Sequence, residues 1–186
     1  MPRKKKKIYK NIVLKNVKTL EDLPEDIAIR IERGVGGRRT LRYVNQSICT
    51  QIEKGEGKPW GYITIAKPNE EYEGECEGAY IARIIESDNE WGPLLLQLAI
   101  EWASKSNDGL IADRFRVTEF EYHLWNHLLG NQGGDLFTKP VALCLNKSSK
   151  TWSERLGIEE DKIATSFIFF SKTNMLQKLL KGKRIC

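Results

Sequence analysis

The stretch YIARIIESDNEWGPLLLQLAIEWASKSNDGLIADRFRVTEFEYHLWNHLLG, residues 80–130, decides the fold. Tyr80 to Ile85 is short, rich in isoleucine and bounded by polar residues, which predicts a strand inside a sheet. Gly92 offers an unhindered N-cap, and Pro93 stands at the first helical position, where its missing N–H has no intrahelical partner to lose. Leu94, Leu95, Leu98, Ala99, Trp102 and Ala103 then recur at helical spacing, and Leu96 and Ile100 widen the stripe, so this helix is expected to be largely buried. Asn107-Asp108-Gly109 turns the chain into a second strand, Leu110 to Arg114. Thr118 with Glu121 forms a capping box for the next helix, Val117 and Tyr122 are spaced for its hydrophobic staple, and Gly130 suits a left-handed cap.

Strand, helix and strand in that order make a βαβ unit, whose right-handed crossover sets the two strands parallel in one sheet. A helix N-terminus at the end of a parallel strand is a usual place to hold an anion, so a ligand is expected there.

Outward from this unit, Ile8 to Val17 alternates as a strand does, and Thr19 to Arg33 starts with a cap-like threonine and breaks at Pro24. Beyond that proline the isoleucines fit either a second helix or a strand. Gly34 to Arg39 reads as a flexible loop without the lysine and Ser/Thr of a P-loop. Ser47–Glu53 and Gly61–Ala66 predict an antiparallel hairpin, and the acidic stretch Pro68–Gly78 a solvated surface loop. After Gly130 the expected order is a loop over 131–140, a strand over Val141–Leu145, a helical turn near Trp152, a strand over Ile163–Phe170 and a closing helix over Thr173–Leu180. With no repeat and no linker, residues 8–186 read as one domain behind a basic tail, residues 1–7.

The chain is long enough to bury a substantial core, and 40% hydrophobic residues fit a globular protein. No run of apolar residues is long enough to span a bilayer or serve as a signal peptide, so a cytoplasmic location is expected. Cys49, Cys76, Cys144 and Cys186 are scattered without a CxxC, and reduced thiols are expected. The net charge of +5 resides in Arg3 to Lys7, since the remaining 25 basic residues balance 25 acidic ones. Such a run reads either as a solubilising tail or as a weak contact to nucleic acid. His123 and His127 share a helix face at zinc-pair spacing, but neither HExxH nor a third ligand accompanies them, so no metal is expected.

The order of elements and several short motifs resemble the GNAT acetyltransferase superfamily, and more closely a divergent GNAT-like group common in bacteriophage genomes. The likeness rests on the Gly92-Pro93-Leu94-Leu95 turn, on Glu101-Trp102-Ala103, on Asp113-Arg114, and on Leu124-Trp125 in the following helix. It implies an α/β fold with a mixed, mostly antiparallel sheet and helices on both faces. It implies acetyl-CoA as cofactor, bound through the backbone of Ala82, Ile84 and Ile85 and of Trp91, Gly92 and Leu94. It implies an N-acyltransferase acting on an amine acceptor. Asp113 and Tyr122 are then the catalytic candidates and Arg114 the substrate-binding one, and a host cytoplasm is the setting if the chain is phage-encoded.

The phosphate turn and the general-acid position depart from the family pattern. Laying the expected Arg/Gln-x-x-Gly-x-Gly/Ala turn on Ser87 to Gly92 puts Ser87 at the Arg/Gln and Glu90 at the first glycine, and Glu86, Asp88 and Glu90 oppose a pyrophosphate by like charge. Trp125 stands where many members carry the tyrosine that protonates the leaving thiolate, and an indole cannot do so; Tyr122, one turn earlier, is the substitute. Both departures favour a second hypothesis, a GNAT-like protein without catalysis that binds a host protein or nucleic acid.

Overall fold

The computed structural model describes residues 14–50, 60–70, 72, 74–106, 108–140 and 167–186. Alternating isoleucines in IAIRIER make Ile27–Arg33 a strand, β1, which pairs antiparallel with β2 (Arg39–Asn45). β3 (Gly61–Ala66) lies antiparallel between β2 and β4 (Tyr80–Ser87). Helix α1 (Gly92–Ser104) crosses to β5 (Leu110–Ala112), which is parallel to β4 as the βαβ pattern requires. Next come α2 (Glu119–Gly130), β6 (Leu136–Pro140), β7 (Phe167–Ser171) and α3 (Met175–Lys181). Across the sheet the order is β1-β2-β3-β4-β5-β7-β6, a mixed and mostly antiparallel α/β arrangement.

One core joins the sheet to the helices. Ile29, Leu41, Tyr43, Ile63, Ile65, Leu110 and Phe169 from strands meet Leu94, Leu95 and Leu98 of α1, Leu124, Trp125 and Leu128 of α2, and Leu176 and Leu179 of α3. Each of these large side chains contributes about 1.5–3 kcal/mol by leaving water. A second cluster holds Ile81, Ile111 and Ile168 against Tyr72, Cys76 and Ala79. The acidic stretch read as a solvated loop therefore sends Tyr72 and Cys76 into the interior, and its glutamates had hidden them.

Several local expectations change. Gln46–Thr50 is a 3-10 helix, so no strand begins at Ser47, and β3 pairs instead with β2, in which Arg39 and Arg42 had disguised the inward Leu41 and Tyr43. Residues 14–17 are not a strand, and the rest of that expected strand lies outside the described residues, as do the basic tail, Val141–Leu145 and the turn near Trp152. After Pro24 the strand alternative holds. A strand, β6, occupies the second half of the 131–140 loop because β7 provides an edge for it. Helix α1 is capped by Trp91 with Gly92 as its first residue, and Gly130 stays helical. Asn131 ends α2, donating its side-chain amide to the His127 carbonyl at 2.6 Å and so removing the need for a left-handed glycine.

The thiol expectation is also corrected. Cys49 and Cys186 form a disulfide with Cα atoms 5.4 Å apart, and Cys76 is disulfide-bonded too. Topology makes the first pair: Cys186 donates its N–H to the Ile29 carbonyl at 3.0 Å, so the C-terminus lies along β1, while Cys49 follows β2, the neighbour of β1. A separation of 137 residues gave no hint of it. Among the described residues no helix is long and apolar enough to cross a membrane.

Candidate functional site

β4 and β5 are paired at three positions only, Tyr80 with Leu110, Ile81 with Ile111 and Ala82 with Ala112. β5 then ends, while β4 continues to Ser87. At the parting β4 holds one extra residue: Thr64 of β3 faces Ile84 and Ile65 faces Ala82, so Arg83 is bulged. The bulge shifts the alternation by one. Before it, Tyr80 donates toward β5, to the Gly109 carbonyl at 2.9 Å; after it, Ile85 points its N–H to the side that β5 has left. Glu121 occupies that side, its Oε1 accepting from the Ile85 N–H at 3.1 Å. An open cleft of about 270 Å³ lies here, lined by Arg83 to Glu86 of β4 and by Arg116, Val117, Thr118 and Glu121.

Glu121 serves two elements at once. Its Oε2 accepts from the Thr118 N–H at 3.0 Å while Thr118 Oγ1 accepts from the Glu121 N–H at 3.2 Å, the reciprocal cap that the Thr-x-x-Glu spacing predicts. Burial pushes the Glu121 carboxyl above the usual glutamate value, against the opposing pull of the Thr118 and Ile85 N–H groups. A raised folded pKa means that the stability contributed by the neutral form is complete below the unfolded value and is lost as pH rises through the folded one. Glu121→Gln removes that dependence, so the variant is expected to gain on the wild type as pH increases across this window. Urea unfolding of both proteins at several pH values checks it, and a pH-independent difference would contradict the direction of the shift.

Behind the cleft, Asp113 is bound on both oxygens. Oδ2 pairs with Arg83 Nη1 at 3.0 Å, and Oδ1 accepts from the Phe115 N–H at 2.9 Å and from the Tyr72 hydroxyl at 3.3 Å. The Tyr72 oxygen in turn accepts from the Arg114 N–H at 3.0 Å. Burial first, and the Asp113 charge second, hold the Tyr72 phenol well above its ordinary pKa. Arg114 is buried, with Nη2 at 3.9 Å from Cys76 Sγ. The adjacent Asp-Arg pair is thus turned inward, and Arg83 is the member of the network that reaches the cleft.

The turn before α1 is closed on itself. Trp91 and Gly92 both donate their N–H groups to the Asp88 carbonyl, at 3.2 and 2.9 Å, and Pro93 has none to offer. Trp91 stacks on Trp60 with centroids 4.2 Å apart, and its carbonyl accepts from the Tyr43 hydroxyl at 2.8 Å. Gly92 is needed for close packing: a Cβ there would stand 2.6 Å from Ser87 Oγ and 3.1 Å from the Phe120 ring. Gly92, Pro93 and Leu94 are buried, so α2 covers the helix start where a phosphate was expected.

Of the expected cofactor positions, Ile84 and Ile85 line the cleft, Ala82 is held in the β4–β5 ladder, and Trp91, Gly92 and Leu94 are packed inside. Tyr122 is half-buried beside the His123 ring, centroids 5.5 Å apart, and is not among the cleft-lining residues. Trp125 lies in the core against Phe169. His123 approaches Glu119 at 3.9 Å, and burial lowers the His127 pKa. Sequence reasoning passed over Arg83, Arg116 and Tyr72. A single arginine inside the apolar run YIARII was the available signal for the bulge.

Comparison of the chain with protein-family models, with curated proteins and with solved structures finds no match.

Proposed function

We propose that this chain is a GNAT-like scaffold that binds a partner protein and transfers no acyl group. The observation that carries this reading is the closed turn. A pyrophosphate cradle needs free backbone N–H groups at an accessible helix start, whereas Trp91 and Gly92 give theirs to Asp88 and the start of α1 is buried. Three carboxylates on or beside the turn, of Glu86, Asp88 and Glu90, add repulsion that a helix-end field of about 0.3–1 kcal/mol does not offset. Isothermal titration with acetyl-CoA and with CoA is expected to show no binding at millimolar ligand. Micromolar affinity would overturn the reading.

A second reading, acyl-CoA-dependent N-acyl transfer to an amine acceptor, is favoured by the parted β4 and β5 and by the Ile85 N–H at the parting. It would be established by that micromolar affinity together with transfer to an amine. The basic run Arg3 to Lys7 supports an additional phosphate contact, which a salt-sensitive retention on nucleic acid would report.

A further inference from the structure

The cleft between β4 and α2 has a chemical preference of its own. Its floor is the Glu121 carboxylate, each oxygen of which accepts one backbone N–H and keeps a lone pair for another donor. Thr118 Oγ1 accepts from Glu121, which leaves the hydroxyl hydrogen to donate outward. Arg83 is engaged with Asp113, whereas Arg116 is exposed and has no ion-pair partner among the described residues. Ile84, 43% exposed, and Val117 form an apolar flank.

One unpaired cation beside the carboxylates of Glu86 and Glu121 does not suit a phosphate or any multiply charged anion. It suits a monoanion that brings its own N–H donor. The last residue of a polypeptide has both, an α-carboxylate and the amide N–H on the same carbon, and the residues before it are able to pair along the strand edge that β5 has left. A cleft of about 270 Å³ admits such a residue and excludes a folded domain.

We propose that the cleft takes the carboxy-terminal residue of a partner polypeptide. Its α-carboxylate lies on Arg116 and the Thr118 hydroxyl, its amide N–H on Glu121, and its apolar side chain against Ile84 and Val117. The inference rests on the protein-binding reading and names the part of the partner that is recognised.

N-acetyl-leucine is the minimal probe, with N-acetyl-leucinamide and free leucine as controls, followed by amide NMR of the full chain. N-acetyl-leucine is expected to shift Ile85, Val117 and Thr118 saturably, and the uncharged amide to bind at least about tenfold more weakly because a charge-assisted bond is gone. Arg116→Gln, an exposed substitution that leaves the rest of the spectrum in place, is expected to show the same loss. Equal shifts from the amide, or no shift at these residues up to the solubility limit, would overturn the proposal; free leucine binding as tightly would replace the chain end by a small zwitterion. Acetyl-CoA in a parallel titration separates the two levels. Shifts at Trp91 to Leu94 would sink the non-catalytic reading, whereas silence from both ligands removes only this inference.

Discussion

Asp113→Ala is expected to lower the unfolding free energy by about 3 kcal/mol, the lower end for breaking a buried ion pair, because Arg83 keeps 25% of its side chain in water. The loss has three parts. Arg83 is left without its counter-charge, the Tyr72 hydroxyl without its acceptor, and the Phe115 N–H without the bond that turns the chain toward α2. Asp113→Asn keeps the volume and one acceptor oxygen, so roughly half the loss is expected. Urea unfolding should show the midpoint falling at unchanged slope. If alanine leaves stability within about 0.5 kcal/mol of wild type, the network does not hold the end of β5 in place. A catalytic aspartate would show the opposite pattern, an intact fold with lost activity, so the same variant separates a positioning role from a chemical one.

Glu101→Ala is expected to cost a similar amount, about 3 kcal/mol, and to release the C-terminal helix. Glu101 is 3% exposed on α1, yet its carboxylate serves another element. Oε2 accepts from Thr173 Oγ1 at 2.6 Å and from the Met175 N–H at 3.0 Å, and Oε1 accepts from the Leu176 N–H at 3.0 Å. Helix α3 is only seven residues long and its own N-cap, Asn174, makes no side-chain bond, so α1 provides its cap. Without the carboxylate, two helix-start N–H groups lose their acceptor and Leu176 and Leu179 lose their hold on the core. Hydrogen exchange is the direct readout, with protection at Met175 and Leu176 collapsing before that of β2 and β3. Glu101→Gln, which retains an acceptor, should fall between. Unchanged protection in the alanine variant would mean that apolar packing alone seats α3.

Where local patterns were strong, sequence and structure agree. The helical stripe from Leu94 to Ala103 gave α1, the Thr118 and Glu121 pair gave the start of α2, and the βαβ order gave the parallel contact of β4 and β5. β2 escaped notice because Arg39 and Arg42 broke the apolar run, although Leu41 and Tyr43 alternate inward. β6 escaped because a strand whose pattern is weak forms only when a neighbour presents an edge. Of the residues read as facing a ligand, Ile84 and Ile85 line the cleft. Trp91, Gly92 and Leu94 were expected to meet a ligand as well, and instead they pack inward, since nothing in the turn itself tells that Phe120 and Leu124 of α2 will cover it.

By itself the sequence determined which segments bury an apolar side, where α2 begins, and that a parallel strand pair stands at the centre. Those properties depend on spacings of a few residues, and such spacings act through local geometry. Only the tertiary structure decided that Arg83 is bulged, that Glu121 takes the Ile85 N–H, that Asp113 faces inward, and that Cys49 reaches Cys186. Each of these joins residues far apart in the chain, and their partners are fixed by the order of strands across the sheet, which no local spacing encodes.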